Sequence, residues 1–257
     1  MLAFEFAPHF RPHWPIRHVL FDFDGTLSFV RAGWAEVMAE MFVEHLGEEN
    51  RRLALDNILR LNGRPTIHQM EWLAGKLKAH GEDAEPPQVY LAEFLDRLQT
   101  MIDTRLAGDR EKLLVPGAKE MLDALRARGI TLHLASGTDE EAVWREAALL
   151  GVADYFEGRI HGASTARAFS KMAVIEAILR DYNVVGTALL SFGDGHVEME
   201  CTKRVGGLAV AVASDETTPG SGLIDEAKRA RLLAVGADVV IPDFHNATAL
   251  LEILLEA

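Results

Sequence analysis

Two aspartates separated by one residue follow a short apolar stretch near the start of the chain. Residues 18–21 are mostly apolar and lead into Asp22, and Phe23 separates Asp22 from Asp24 and Gly25. A short Val, Leu and Phe run before Asp-Gly predicts a buried parallel strand, and open α/β sheets bind ligands at the carboxyl ends of such strands. A simple Asp-Gly turn explains Asp24 and Gly25. It does not explain Asp22, because an ionised carboxylate beside an apolar strand needs a partner or a metal.

Polar side chains follow two further predicted strands. Ser136 comes after the predicted strand over 130–135, and Asp194 comes two residues after the predicted strand over 188–192. Neighbouring parallel strands end at the same edge of a sheet, so these side chains are expected to converge with Asp22. Ser136 alone could equally be an ordinary residue on the approach to a helix.

A lysine and a glutamate could reach the same edge. Lys171 begins a predicted helix after Ser170, and Glu198 lies four residues after Asp194. Taken singly, Lys171 could be a solvated first-turn lysine, and Glu198 could be an acid favoured by the helix dipole. The combination with the strand-end residues favours a common site.

The bulk composition excludes some functions. The 257 residues carry a formal net charge of −13, which argues against nucleic-acid binding because phosphate contacts need clustered Lys and Arg. The single cysteine, Cys201, excludes an internal disulfide and a cysteine-based zinc site, and is consistent with a cytoplasmic protein. No apolar run approaches the length of a membrane span, so no membrane partner is expected.

The first sixteen residues are predicted to form an extended arm. They contain prolines and histidines but lack the apolar core and cleavage site of a signal peptide. His9 and His13 could bind a metal, although solvated tail residues are the simpler interpretation.

A long helical block interrupts the chain after Thr26. Helical spacing of apolar residues predicts helices from about residue 34 to 46 and over 53–61, 66–79 and 88–106, with no strand between about 30 and 112. Four successive helices exceed an ordinary crossover, so they are interpreted as an inserted helical cap domain over 30–112. The alternative is that the helices only cover one face of the sheet.

Strands and helices alternate from Val115 onward. This rhythm predicts a doubly wound, parallel-sheet α/β core formed by residues 1–29 and 113–257. The spacing of Thr138 and Glu141 matches a capping box and predicts that the next helix begins at Thr138.

The motifs resemble those of the haloacid dehalogenase superfamily. Residues 21–27 resemble its first motif, 134–137 its second, Ser170-Lys171 its third and 192–198 its fourth. The helical insertion resembles the α-helical cap of the phosphoglycolate phosphatase and β-phosphoglucomutase branch, and the expected core is Rossmann-like. One departure is Glu198, where the family usually has aspartate.

The resemblance implies a role for each motif residue. Asp22 would be the nucleophile that forms an aspartyl-phosphate, and Asp24 the general acid and base. Lys171 would neutralise the nucleophile and the transferred phosphoryl group, and Ser136 would hold phosphate oxygens. The remaining predicted phosphate contacts are Thr26 and Gly137.

A cluster of carboxylates with no cysteine or histidine ligands favours Mg²⁺. The expected ligands are Asp22, the backbone carbonyl of Asp24, and Asp194. Glu198 could reach the metal through a water molecule or could instead hold Lys171.

Together these features predict a Mg²⁺-dependent phosphatase that acts on a small phosphorylated metabolite such as a sugar phosphate or a phosphoglycolate-like acid. The acid at position 24 favours a phosphomonoester reaction over dehalogenation within the resemblance. A sugar phosphomutase and a catalytically silent regulatory protein are the alternatives. Arg64, in an Asn-Gly-x-Pro turn, and Arg31 are the candidates for binding the remote end of the substrate.

Overall fold

The computed structural model describes residues 4–12, 15–61, 66–163 and 169–255. In these ranges seven strands form one sheet: β1 (Glu5–Phe6), β2 (His18–Phe21), β3 (Thr131–Asp139), β4 (Ile160–Ala163), β5 (Leu189–Gly193), β6 (Leu208–Val212) and β7 (Val239–Ile241). The α-helices of the same ranges are α1 (Trp34–Leu46), α2 (Arg51–Arg60), α3 (Ile67–Ala79), α4 (Pro87–Leu106), α5 (Ala118–Ala127), α6 (Glu140–Leu149), α7 (Lys171–Asp181), α8 (His196–Arg204), α9 (Glu226–Ala234) and α10 (Ala247–Leu255). No helix of the described chain is long and apolar enough to cross a membrane.

The sheet has the order β1-β7-β6-β5-β2-β3-β4, and only β1 pairs antiparallel to its neighbour. It is therefore the doubly wound α/β sheet that the strand-helix rhythm predicts. Strand β2 lies between β3 and β5, so the carboxyl ends of these three strands are adjacent. This places the residues that follow them at one edge of the sheet.

Aromatic packing supports the centre of the sheet. The rings of Phe21 on β2 and Phe192 on β5 stack with their centroids 4.9 Å apart, and Phe244 meets both edge-on. All three side chains are fully buried. Pairs of this kind contribute about 0.5–1.5 kcal/mol beyond the burial of their area, which helps to fix the strands that carry the site.

The chain divides into two compact units, residues 1–30 with 109–257, and residues 31–108. The second unit is helical and contains no strand in its described residues. Its own core is formed by buried side chains from its four helices, among them Met38, Phe42, Ile58, Leu73 and Phe94.

The predicted N-terminal arm joins the sheet. Glu5 and Phe6 pair with Val240 and Val239 of β7, and Glu5 also forms an ion pair with Arg229 of α9. His9 lies 3.5 Å from the carboxylate of Asp238, and His13 lies outside the described residues. The arm therefore adds an antiparallel edge strand to the parallel core.

The predicted start of α6 at Thr138 is wrong. Strand β3 extends to Asp139 with an irregular register after Ala135, and Asp139 is the capping residue. Its carboxylate accepts hydrogen bonds from the backbone N–H groups of Glu141 and Ala142. An aspartate is at least as good a cap as a threonine. Asp139 therefore caps α6 in place of Thr138, the residue that the capping-box spacing indicates.

Candidate active site

Asp22 lies directly after β2, at the centre of the sheet edge. Its backbone N–H donates to the carbonyl of Phe192, which continues the pairing with β5 for one more residue. Its Oδ1 accepts a 2.8 Å hydrogen bond from the N–H of Phe23 and lies 2.9 Å from Nζ of Lys171. Its Oδ2 takes no hydrogen bond or ion pair from the described residues. One carboxylate oxygen is therefore fixed, and the other has no partner among the described residues.

Two effects compete at the Asp22 carboxyl. Burial raises the pKa of Asp22 to about 6, and the nearby charges of Asp194 and Asp24 also raise it, whereas Lys171 lowers it. Since a carboxylate must be ionised to act as a nucleophile or a ligand, the cation of Lys171 supports the reactive form.

Lys171 connects Asp22 to Glu198. It is the first residue of α7, behind Ser170, whose hydroxyl accepts from the N–H of Ala173. The ammonium forms ion pairs with both Asp22 and Glu198, and all three side chains are buried. These three residues are called the Lys171 cluster below.

The motif-four glycines make room for Glu198. A Cβ on Gly195 would overlap Oε2 of Glu198, and one on Gly193 would lie 2.8 Å from its Cγ. Oε2 is buried and has no hydrogen-bond partner among the described residues. Glu198 therefore has one oxygen on Lys171 and one that needs a water or a metal.

The turn after β2 depends on Gly25. Its φ of +71° is costly for other residues, and a Cβ there would overlap the carboxylate of Asp194. The turn is closed by hydrogen bonds from the N–H groups of Leu27 and Ser28 to the carbonyl of Phe23. Glycine at position 25 thus lets the Asp194 carboxylate lie against the turn that carries Asp24.

Two hydroxyl groups contact the carboxylate of Asp24. One belongs to Ser136, in the predicted second motif, and the other to Thr138, which lies outside the four motifs. Its Oδ2 accepts a 3.0 Å hydrogen bond from the hydroxyl of Thr138, and Ser136 Oγ lies 3.4 Å from the same oxygen. Ser136 also accepts from the N–H of Thr138 at 3.1 Å. The sequence predicts Thr138 as a helix cap, and the structure instead places its hydroxyl on the proposed general acid.

A second lysine contacts Asp194. Lys228, in the first turn of α9, lies 3.2 Å from Oδ2 of Asp194 and also forms an ion pair with Glu216. Burial lowers the pKa of Lys228, but Asp194 and Glu216 more than offset this effect, so it lies above its usual value and the ammonium stays charged. Lys228, Asp194 and Glu216 are called the Lys228 cluster below.

The segment after β6 makes other contacts with the turns of the site. The hydroxyl of Ser214 donates to the carbonyl of Gly25, and Arg231 donates to the carbonyl of Asp194. Sequence reasoning missed this segment because no motif marks it. The available signal was Lys228 itself, since a cation in the first turn of a helix opposes the helix dipole and needs another reason to be there.

The other predicted substrate contacts are placed differently. Thr26 is fully buried, its N–H donates to Phe23, and its hydroxyl has no partner among the described residues, so it supports the turn and offers no surface. Gly137 is exposed next to Ser136. Arg31 belongs to the helical unit, and Arg64 lies outside the described residues.

The donor set fits Mg²⁺. No group of three His, Cys, Asp or Glu side chains that could hold a metal is found in the described chain, so a cation would use two carboxylates with other oxygens. Mg²⁺ is commonly bound by one or two carboxylates and keeps several waters. Asp22 and Asp194 would supply the carboxylates: Asp194 packs against the Gly25 turn, and its charge acts on Asp22.

Solved structures of other proteins share this fold. A "predicted phosphoglycolate phosphatase" from Haemophilus somnus 129PT superposes with a TM-score of 0.64 at 17% identity, over 91% of this chain and 97% of that one. A protein from Thermotoga maritima with the provisional name beta-phosphoglucomutase gives 0.63 at 20% identity, over 93% and 100%. An HAD family hydrolase from Deinococcus radiodurans R1, with bound phosphate and sodium, gives 0.61 at 21% identity, over 94% and 98%.

These structures share the fold at low sequence identity, and no curated protein matches the chain. The sequence model of the haloacid dehalogenase-like hydrolases matches residues 16–206. This match covers well over half of the chain and includes all four motifs. The chain therefore belongs to the haloacid dehalogenase-like hydrolase family.

Proposed function

We propose that the protein is a Mg²⁺-dependent phosphatase that hydrolyses a small phosphorylated metabolite. The observation that carries the proposal is the state of Asp22, which has one oxygen fixed by Lys171 and Phe23 and the other without a partner among the described residues. A buried, oriented carboxylate beside a fixed cation is suited to attack on phosphorus. A cytoplasmic location is part of the same proposal.

In the first half-reaction, Oδ2 of Asp22 forms a bond to phosphorus and the bond from phosphorus to the leaving alcohol breaks. Asp24 gives its proton to the leaving oxygen. In the second half, Asp24 takes a proton from the water that attacks phosphorus, and the bond from phosphorus to Asp22 breaks. Thr138 and Ser136 hold the Asp24 carboxylate between these steps.

Several groups stabilise charge during these steps. Lys171 faces the carboxylate oxygen that does not attack, and Gly137 presents its exposed backbone next to Ser136. Mg²⁺, held by Asp22, Asp194 and the Asp24 carbonyl, would offset the negative charge of the phosphoryl oxygens. Preorganised donors of this kind typically contribute about 10²–10³ in rate each.

The test is phosphate release from a panel of phosphorylated metabolites, with Mg²⁺ or with EDTA. The proposal predicts release that stops with EDTA and returns with Mg²⁺, whereas full activity in metal-free buffer would contradict it. A sugar phosphomutase would instead transfer phosphate to a second hydroxyl of the substrate, and would give an isomerised product without released phosphate. A silent regulatory protein would turn over no member of the panel.

A further inference from the structure

Lys228 is the one residue of the Lys228 cluster that reaches two separate segments of the chain. From α9 it contacts Asp194, which follows β5, and Glu216, which lies in the loop after β6. Its side chain is only 13% exposed. The backbone N–H of Lys228 is also fixed, because it donates to the carboxylate of the capping residue Asp225 at 2.9 Å.

The contacts of Asp194 divide between its two oxygens. Oδ2 lies on Lys228 and is packed against Gly25, where there is no room for a Cβ. Oδ1 takes no hydrogen bond or ion pair from the described residues. A short aspartate with one oxygen fixed on two sides cannot rotate freely, so its second oxygen has a defined position.

We propose that Lys228, anchored by Glu216, is a positioning residue that holds Asp194 in the orientation required to bind the metal. The inference rests on the proposed Mg²⁺ site. In this role, α9 and the loop after β6 contribute to metal binding by orienting the carboxylate of Asp194. They do not contact the substrate. Partners of this kind typically change metal affinity by about 10–100-fold when they are removed.

A simpler role for Lys228 would be to neutralise Glu216. The two roles separate in the double variant Lys228→Met with Glu216→Gln. This variant removes one positive and one negative charge, so the net charge around Asp194 is unchanged and Glu216 does not remain as an unpaired, partly buried acid. Replacing a buried ion pair by neutral groups is often tolerated by the fold. Only the contact that orients Asp194 is lost.

The chain offers a matched control. Lys203 forms an ion pair with the buried Asp238 at 2.7 Å, next to the amino end of β7 and so at the opposite edge of the sheet from the site. The control variant Lys203→Met with Asp238→Asn removes the same kind of pair without touching Asp194. Thermal unfolding of each variant reports any general loss of stability.

The experiment is isothermal titration of Mg²⁺ into the full chain, without substrate. We expect about 10–100-fold weaker binding for the Lys228 and Glu216 double variant and unchanged binding for the control. At saturating Mg²⁺, the substrate KM of the double variant should match that of the wild type. If the double variant does not fold, Lys228→Leu with Glu216→Gln takes its place, because it leaves the same net charge around Asp194 and is scored in the same way.

Mg²⁺ binding as tight as in the wild type, or tighter, would overturn the positioning role. Equal weakening in the control would overturn it as well, since the effect would then be a general one. A wild-type chain that binds no Mg²⁺ would contradict the proposed function itself, and that result is distinct from either outcome.

Discussion

The two lysine clusters are built alike but act on different carboxylates. In each, a lysine in the first turn of a helix joins an aspartate at the sheet edge to a glutamate. Lys171 contacts Asp22, the proposed nucleophile, and Lys228 contacts Asp194, the proposed metal ligand. The first cluster is also the more buried, with side chains 5–10% exposed against 13–25% in the second.

Under the proposed function, the two clusters would contribute to different steps. A cation beside the nucleophile affects the reacting phosphoryl group, so its loss should reduce kcat. A cation beside a metal ligand affects how well the metal is held, so its loss should change the Mg²⁺ requirement and leave kcat at saturating Mg²⁺ nearly unchanged.

Asp22→Asn should abolish turnover, because no other group occupies the position of the nucleophile. The measurement is phosphate release under saturating Mg²⁺ and substrate. The matched control is Asp238→Asn, which neutralises an equally buried aspartate far from the site and should keep activity in the folded protein. Substantial turnover by Asp22→Asn would show that the Lys171 cluster does not contain the nucleophile.

Lys171→Met should reduce kcat by about 10²–10³, the range for loss of one preorganised stabilising group. Lys228→Met, assayed at saturating Mg²⁺, should stay close to the wild-type kcat. Steady-state kinetics at several Mg²⁺ concentrations separates the two effects. Similar kcat losses in both variants would remove the distinction between the clusters.

Asp194→Ala should raise the Mg²⁺ concentration for half-maximal activity by about 100-fold or more, because it removes a ligand. Glu198→Gln should raise it by about 10-fold, since Glu198 acts mainly through Lys171. Activity titrations with Mg²⁺ give both values. A larger effect of Glu198→Gln than of Asp194→Ala would indicate that Glu198 is the stronger metal ligand. It would then contradict the assignment of metal binding to the Lys228 cluster.

Thr138→Val belongs to neither cluster and should have the smallest effect, a loss of about 10-fold for an alkyl phosphate, as expected for one hydrogen bond to a charged group. An activated aryl phosphate needs little protonation, so single-turnover rates with that substrate should change less. Equal losses on both substrates would indicate that Thr138 does not act through Asp24.

The same comparison shows which parts of the site could be predicted from the sequence. Asp22, Asp24, Lys171 and Asp194 follow strands or begin helices whose apolar patterns are clear, and strand order then brings them together. Lys228 lies 34 residues after Asp194 in the sequence and meets it only because β6 and α9 fold back beside β5. The local pattern marks Lys228 as an unusual cation in a first helical turn, but it does not show which carboxylate Lys228 contacts.

The cap of α6 and strand β1 could not be predicted either, because each depends on a contact with a distant part of the chain. The spacing of Thr138 and Glu141 suggests a cap, but Asp139 competes for the same N–H groups, so the Thr138 hydroxyl holds Asp24 instead. The N-terminal arm has too short an apolar run to predict a strand, and β1 forms because the edge of β7 supplies its hydrogen bonds. In both cases tertiary partners decide between local alternatives.

In the proposed mechanism, Asp22 carries the phosphoryl group between the two halves of the reaction. The most direct measurement is a single turnover with Mg²⁺, quenched in acid within the burst, followed by peptide mapping by mass spectrometry. We expect a phosphoryl group on Asp22 in the wild type and none in Asp22→Asn. A phosphoryl group on a different residue, or the same phosphorylated peptide in Asp22→Asn, would contradict this assignment.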